Sequence, residues 1–335
     1  MSNMRAIVYA GPGGPEVISL GDVPKPAPGP GQLRVQVRAA GLNRADLLQR
    51  RGHYAAPHGW PDHIPGLEYA GVVDAVHPAD EPASPWRRGD RVMGLVGGGA
   101  MAEYLVVDAA EALPTPEGMS DEDAAAVPES FLTAWDAMVT RGRLRSGERV
   151  LIHAVGSGLG TAAVQIAEHL GATAIGTSRS ADKLARVAIF GLDQGIDTSQ
   201  DGNAAFREAL EGHPVHVILD VLGAPAFADN LAVLAPCGRL VLLGFLAGAR
   251  VDAAEGLDLG PILRKRLEVI GSVMRSRGPA ERAALAETFG RDVRPLFEHG
   301  ILRPMRERTY PMAELAEAHA AMERNETFGK IVVAW

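Results

Sequence analysis

The sequence predicts an α/β protein in which a doubly wound parallel sheet is accompanied by a second, β-rich domain. Three observations carry this. Residues 150–167 read as a buried strand, a glycine turn and a helix. Beyond about residue 128, apolar strand-like runs alternate with helical patterns, which implies parallel strands joined by right-handed crossovers. Before it, short alternating runs are separated by Gly- and Pro-rich turns, the spacing of a twisted sheet or partly open barrel.

The stretch 150–167 organises the rest. Val150 to Ile152 is an apolar run after Gly147-Glu148-Arg149, and Ala163, Ile166, Ala167 and Leu170 recur at helical spacing before Gly171. Gly156, Ser157, Gly158, Leu159 and Gly160 fall where strand becomes helix. A backbone without side chains there lets a ligand approach, and the open N–H groups of a helix start bind anions. That is the arrangement of a dinucleotide pyrophosphate site, although the glycines do not form a strict G-x-G-x-x-G.

The other elements follow in order. Arg5 to Tyr9 is a short strand, Gly11 to Pro15 a turn, and Pro24 to Gly31 a proline-rich connector. Leu33 to Ala39, Tyr69 to Val76, Arg91 to Val96 and Ala102 to Val107 are strands. Phe131 to Val139 is helical. After the central unit come a strand at Thr173 to Thr177, a helix from Ala181 to Phe190, a strand at Val215 to Asp220 and a helix from Ala224 to Leu234. Strands at Arg239 to Gly244 and Leu267 to Val273 end this set. Pro279 to Glu298 is a long amphipathic helix; Met305 to Tyr310, a helix from Met312 to Glu323 and a strand at Lys330 to Ala334 close the chain and return to the first domain. The expected boundaries are therefore 1–127 with 276–335, and 128–275.

Composition narrows the function. With 335 residues, a prior of ~150 per domain gives two domains. A net charge of −8 without a basic block argues against nucleic acid as partner. The one cysteine, Cys237, excludes a disulfide framework and a multi-cysteine metal site; in Pro236-Cys237-Gly238 it reads as a turn residue rather than a nucleophile. No signal pattern opens the sequence and no apolar run reaches the ~18 residues of a membrane span, so a cytoplasmic protein is expected.

The second strand of a dinucleotide site ordinarily ends in an acidic residue that binds the ribose 2′-hydroxyl. Here that place holds Thr177-Ser178-Arg179-Ser180, with Lys183 one helical turn on. A hydroxyl and cationic groups suit a 2′-phosphate through charge-assisted hydrogen bonds, which predicts NADPH as cofactor. The alternative is that Ser180 caps the helix and Arg179 is a solvated charge. Asp182 is the nearest carboxylate and suits the helix start.

Several motifs in order resemble the medium-chain dehydrogenase/reductase superfamily, its zinc-free quinone oxidoreductase branch, and within it the tumour-suppressor-inducible quinone oxidoreductases. They are Gly13-Gly14-Pro15-Glu16, Leu42-Asn43-Arg44-Ala45-Asp46-Leu47, Gly52-His53-Tyr54, Gly66-Leu67-Glu68, Ala125-Ala126-Val127-Pro128-Glu129, Ser157-Gly158-Leu159-Gly160-Thr161-Ala162-Ala163, Met274-Arg275-Ser276-Arg277, Tyr310-Pro311 and Gly329-Lys330-Ile331-Val332. The resemblance spans nearly the whole chain. It implies a Rossmann domain and a GroES-like catalytic domain, and a homodimer joined through the strand at Leu267 to Val273, whose apolar edge invites pairing. It places Asn43, Asp46 and Tyr54 on a loop facing the nicotinamide, with Thr133 nearby. It also implies cofactor contacts from Leu222, Gly244, Phe245, Ser272, Val273, Met274, Thr327 and Lys330.

Zinc-dependent members hold the metal with a Cys where Asn43 stands and a His in a Gly-His-Glu motif, which is Gly66-Leu67-Glu68 here. Leucine cannot ligate and asparagine is a poor zinc ligand, so no metal is expected; His213 and His216 have no partner ligands. Without a Lewis acid an alkoxide is hard to stabilise, whereas a conjugated carbonyl spreads the charge. The expected activity is therefore NADPH-dependent quinone reduction. Tyr54 either donates a hydrogen bond to the developing oxyanion or forms an aromatic wall, and Thr133 either serves the site or caps a helix. The alternatives are reduction of an enal or enoyl-thioester C=C bond, and a non-enzymatic NADPH-binding sensor. Against the family pattern, Gly195 to Ser199 lacks the usual Tyr near the adenosine phosphate, and Ile189 and Phe190 stand where small or charged residues are usual.

Overall fold

The structure, a computed structural model, describes residues 2–251 and 256–335. The chain forms two compact units, Met1–Leu132 with Met274–Trp335, and Thr133–Val273.

The first unit starts with a hairpin, β1 (Asn3–Tyr9) and β2 (Ile18–Pro24). Strand β2 has no predicted counterpart, because its side chains are half-buried or exposed and carry little period-two signal. The long β3 (Gln32–Leu42) follows, then α1 (Arg44–Arg50), β4 (Glu68–Val76), β5 (Arg91–Leu95), β6 (Tyr104–Asp108) and β7 (Leu113–Pro114). The Pro24–Gly31 connector therefore begins within β2, and the strand expected from Ala102 starts at Tyr104, with Ala102 making only a bridge to Ala6. Helix α1 is likewise absent from the sequence expectation. The short helix α2 (Asp121–Ala124) is N-capped by the Ser120 side chain. A helical run, α3, covers 128–141, longer than the predicted Phe131 to Val139.

The second unit contains β8 (Arg149–Ile152), α4 (Gly158–His169), β9 (Thr173–Ser178), α5 (Ala181–Ala188), β10 (Gln194–Asp197), α6 (Asn203–Ala209), β11 (Val215–Asp220), α7 (Ala224–Val233), β12 (Leu234–Leu242), α8 (Gly260–Lys265) and β13 (Glu268–Gly271). Its six-stranded sheet runs β10-β9-β8-β11-β12-β13, all parallel. Order reverses between β8 and β11, and ligands of such sheets bind outside the carboxyl ends at that point. Helices α6 and α8 were not expected; both are short. Strand β12 begins earlier than the expected Arg239 and takes in Cys237, which sits at φ 60° and is exposed. The core is made by Leu151, Ile175, Phe206, Ile218, Leu231 and Leu240.

The chain returns to the first unit with a helical run, α9, over 279–298, then β14 (Arg306–Pro311), α10 (Leu315–Glu323) and β15 (Lys330–Ala334). The larger sheet of this unit runs β14-β15-β3-β4-β5-β7, with β6 paired to β3. Strand β3 is long because it pairs with β4 along nearly its whole length, with β6 along its first half and with β15 along its second. Its inward residues Leu33, Val35 and Val37 pack with Tyr69, Met101 and Val333. Among the described residues no helix is long and apolar enough to cross a membrane.

Candidate active site

In the first unit, α1 starts at Asn43 because Asp46 reaches back to it. The Asp46 carboxylate accepts the Asn43 N–H at 2.8 Å through Oδ2 and the Gly66 N–H at 3.2 Å through Oδ1. Gly66 stands at φ +102°, and a Cβ there would lie 2.7 Å from the Met101 amide nitrogen, so only glycine brings its N–H this close. Asp46 is 0% exposed. Burial pushes its pKa up to about 6, opposed by the Asn43 N–H and the charges of Lys330 and Arg275. Expected to face the nicotinamide, Asp46 is instead enclosed, and its oxygens hold the loop that presents Asn43.

Lys330, expected to contact the cofactor, is buried in the first unit. Its ammonium is 5% exposed and donates to Glu68 Oε1, to Asn43 Oδ1 at 2.5 Å and to the Leu42 carbonyl at 3.4 Å. An ammonium has three N–H groups, and three acceptors inside the unit lie within their reach. Glu68, 0% exposed, also accepts from Asn43 Nδ2 at 2.9 Å and from the Glu129 N–H at 2.8 Å. A buried carboxylate and ammonium are thus paired and hydrogen-bonded, the condition for tolerating charge in a core. Burial, then the neighbouring Glu68 charge, pushes the Glu129 carboxyl up to about 7.

Arg275 is a functional candidate not singled out by residue chemistry; only its place in the Met274–Arg277 motif marked it. Its guanidinium, 8% exposed, donates to the Gly97 carbonyl at 2.8 Å, the Tyr54 carbonyl at 3.1 Å and Gln49 Oε1 at 2.7 Å. Its Cζ lies 4.8 Å from the Tyr54 ring centroid. Arg275 therefore pins both the backbone and the ring of Tyr54. The Tyr54 hydroxyl is raised by burial, with Arg275 opposing the rise. The first unit thus brings Asn43, Asp46 and Lys330 into one hydrogen-bonded group with Glu68, and it fixes Tyr54 through Arg275. A cleft of about 510 Å³ in this unit, lined by Trp60, Tyr104 and Arg282 among others, contains none of the predicted site residues.

In the second unit, Ser157 N-caps α4, accepting the Gly160 N–H at 3.0 Å. A Cβ on Gly160 would lie 2.3 Å from the Val155 carbonyl oxygen, so this glycine is demanded by helix–strand packing. Gly156 meets a different neighbour: a Cβ there would touch the Lys183 stem at 3.0 Å. The glycine turn and the first turn of α5 are therefore in direct contact. Ser178 is buried at 9% exposure and accepts the Ser180 N–H at 3.1 Å; Arg179 is exposed; Ser180 caps α5 through Lys183 N–H. Glycine at 156, a capped helix start and hydroxyl and cationic groups beside them fit the phosphates of a nicotinamide dinucleotide.

At the carboxyl ends of β11, β12 and β13, the Leu246 N–H bonds the Val221 carbonyl at 2.9 Å and the Ser272 N–H bonds the Leu242 carbonyl at 3.0 Å. Leu222, Gly244, Phe245 and Ser272 are thereby gathered along one sheet edge. Phe245 is 54% and Val273 44% exposed. Met274 and Thr327 belong to the first unit, as does Lys330. Thr133 lies inside α3 rather than at a helix start, and its buried hydroxyl has no hydrogen-bond partner among the described residues, so it caps nothing. His216 Nδ1 accepts the Arg149 N–H at 3.0 Å, a strand-packing contact. No thiolate or imidazole stands at the two zinc positions, since Asn43 is bonded to Glu68 and Lys330 and Leu67 is a buried hydrocarbon; these residues do not fit a catalytic zinc.

Comparison with known proteins agrees with this layout. Residues 29–117 match the alcohol dehydrogenase GroES-like domain and residues 158–290 the zinc-binding dehydrogenase family. A quinone oxidoreductase of Pseudomonas aeruginosa is 34% identical over 336 residues, covering 98% of this chain and 99% of that protein. The spectinabilin polyketide synthase system protein NorB of Streptomyces orinoci is 35% identical over 317 residues, 91% of this chain, but the chain spans only 13% of its length. The solved quinone oxidoreductase of Pseudomonas syringae superposes with a TM-score of 0.87 at 30% identity, covering 99% of this chain and all of that one. An NAD-dependent alcohol dehydrogenase (32% identity, TM-score 0.85, 99% and 100% coverage) and a mycobacterial protein solved with NADPH (28%, 0.85, 99% and 100%) share the fold. With a GroES-like unit, a six-stranded dinucleotide-binding sheet and full-length relatives of this kind, the chain belongs to the medium-chain dehydrogenase/reductase superfamily, in its quinone oxidoreductase branch.

Proposed function

We propose that this oxidoreductase is an NADPH-dependent, zinc-independent reductase of quinones and related conjugated carbonyls. The observation that carries the reading is the end of β9, where Ser178 and Arg179 replace the usual carboxylate and Lys183 lies across Gly156. Since relatives of this fold use either NAD or NADPH by name, the choice rests on these residues. Ser178 Oγ accepts the Ser180 N–H and keeps its own O–H as a donor. A 2′-phosphate gains charge-assisted hydrogen bonds from this group that a 2′-hydroxyl does not.

Bound NADPH supplies the hydride. The chain's part is to receive negative charge on the acceptor oxygen and to supply a proton. Raised by burial, Tyr54 keeps its proton at neutral pH and is the donor. Arg275, with its guanidinium over that ring, places positive charge beside the Tyr54 side chain. Glu129, pushed up to about 7, holds a replacement proton close to neutrality. With leucine and asparagine at the zinc positions, an acceptor that spreads its own charge is favoured over a simple ketone or aldehyde. Reduction of an enoyl-thioester C=C bond is the second reading, supported by the identity to a polyketide synthase segment.

The test is the Michaelis constant for NADPH and NADH, in wild type and Arg179→Ala, with a quinone, an enal and an enoyl thioester as acceptors. A charge-assisted hydrogen bond is worth ~1.5–3 kcal/mol, and exposure puts Arg179 at the low end, roughly tenfold. NADPH should weaken by that factor while NADH stays unchanged, and Ser178→Asp should penalise NADPH further by repulsion. An unmoved NADPH-to-NADH ratio in Arg179→Ala removes the basis for the cofactor assignment.

A further inference from the structure

A line of buried polar side chains runs beneath the carboxyl edge of the second unit's sheet. Thr177 lies at the end of β9, His153 follows β8, Asn230 is on α7 and Asp220 ends β11. All are at most 3% exposed. Their hydrogen bonds run in one direction. Asn230 Nδ2 donates to Asp220 Oδ2 at 3.2 Å, which turns Asn230 Oδ1 towards His153 Nε2, 2.8 Å away. Nε2 therefore carries the imidazole proton, and Nδ1 accepts from the Thr177 hydroxyl at 2.9 Å. Burial holds His153 below its ordinary pKa, in keeping with one proton on the ring. The remaining oxygen, Asp220 Oδ1, accepts the N–H groups of Leu222 at 2.6 Å and Gly223 at 3.1 Å.

Strand pairing does not need this line, because β9, β8 and β11 are already neighbours in the sheet. Apolar residues would fill the same space without desolvating a carboxylate. What polar bonds add over apolar packing is fixed orientation. The line begins one residue before Ser178 and ends on the turn at Leu222 and Gly223. That turn is itself locked: Gly223 stands at φ +91°, and a Cβ there would lie 2.5 Å from the Gly248 carbonyl and 2.6 Å from the Phe245 ring.

We propose that Thr177, His153, Asn230 and Asp220 form a brace that fixes the separation between the loop receiving the 2′-phosphate end of the dinucleotide and the loop receiving its nicotinamide end. This rests on the cofactor reading given above. All four are positioning residues, buried under the loops they set. A brace of this kind matters for a ligand that must engage both loops and is indifferent to one that engages a single loop.

The experiment compares dissociation constants of NADPH and of adenosine 2′,5′-bisphosphate, by titration calorimetry, in wild type, His153→Leu, Thr177→Val and Thr177→Ser. NADPH should weaken at least tenfold in His153→Leu, and several-fold in Thr177→Val, while the bisphosphate stays within twofold. Thr177→Ser, which keeps the hydroxyl, should restore NADPH binding. If His153→Leu does not fold, Thr177→Val, lacking a single hydroxyl, carries the same comparison. Parallel losses for both ligands, or no loss for NADPH in folded variants, overturn the brace. A wild type that binds neither ligand overturns the cofactor reading on which it stands.

Discussion

Replacing Lys330 by methionine separates a structural lysine from a cofactor-binding one. Lys330 is 5% exposed and is paired with Glu68, which is 0% exposed. Methionine keeps the stem's volume and removes the charge. Glu68 would retain only the Asn43 amide and the Glu129 N–H as donors, both neutral. Breaking a buried pair by removing one partner costs about 3–5 kcal/mol, because the remaining charge stays uncompensated. For a unit of this size that is roughly 6–20 °C in melting temperature, at ~2–4 °C per kcal/mol. Removing the second charge as well, in Lys330→Met with Glu68→Gln, should recover at least half of the loss. The assay is thermal or denaturant unfolding of wild type, both single variants and the double variant, read as a double-mutant cycle, alongside NADPH binding at a temperature where all are folded. A melting temperature within about 2 °C of wild type, together with a tenfold rise in the NADPH dissociation constant, would refute the reasoning and return Lys330 to the cofactor.

Other expectations follow from the same geometry. Glu129 has its pKa raised from near 4.5 to about 7, so the folded state holds its proton more tightly than the unfolded one; that contribution is full below about 4.5 and lost as pH rises through 7. Glu129→Gln, which cannot ionise, should therefore gain on wild type by up to about 3 kcal/mol between pH 4.5 and 7.5, at ~1.36 kcal/mol per pH unit of displacement; a stability difference independent of pH would count against it. Gly160→Ala should destabilise by about 1–3 kcal/mol in chemical denaturation, since its Cβ meets backbone that cannot swing aside, and an unchanged midpoint would contradict the packing reading. The edge strand β13, with Val269 40% exposed and Leu263 on α8 83% exposed, should pair with a second copy of the chain. Light scattering should then report a dimer at micromolar concentration and a monomer for Val269→Asp; a monomeric wild type refutes the pairing.

By itself the sequence determined the elements whose information is local. The run Val150 to Ala167 reads as β8, a capped turn and α4 because period and glycine placement are properties of neighbouring residues, and β11, α7 and β15 were legible for the same reason. Helix α1 was also locally encoded, in the Asn43 to Asp46 spacing of its cap, but its polar residues Arg44, Gln49 and Arg50 masked the apolar stripe. Strand β2 carried little period-two signal, since it is held by pairing with β1 rather than by burying a face. Tertiary structure alone decided which charges meet. Glu68 and Lys330 are 262 residues apart, and Arg275 reaches Gln49 across 226, contacts fixed only when β15 closes on β3 and the returning segment packs on the first unit. The brace is of the same kind: His153 and Asn230 are 77 residues apart on elements that become neighbours only through the strand order of the finished sheet. A sequence pattern reports which face of an element is apolar; which polar group waits on the other side is set by chain crossovers that no local period encodes.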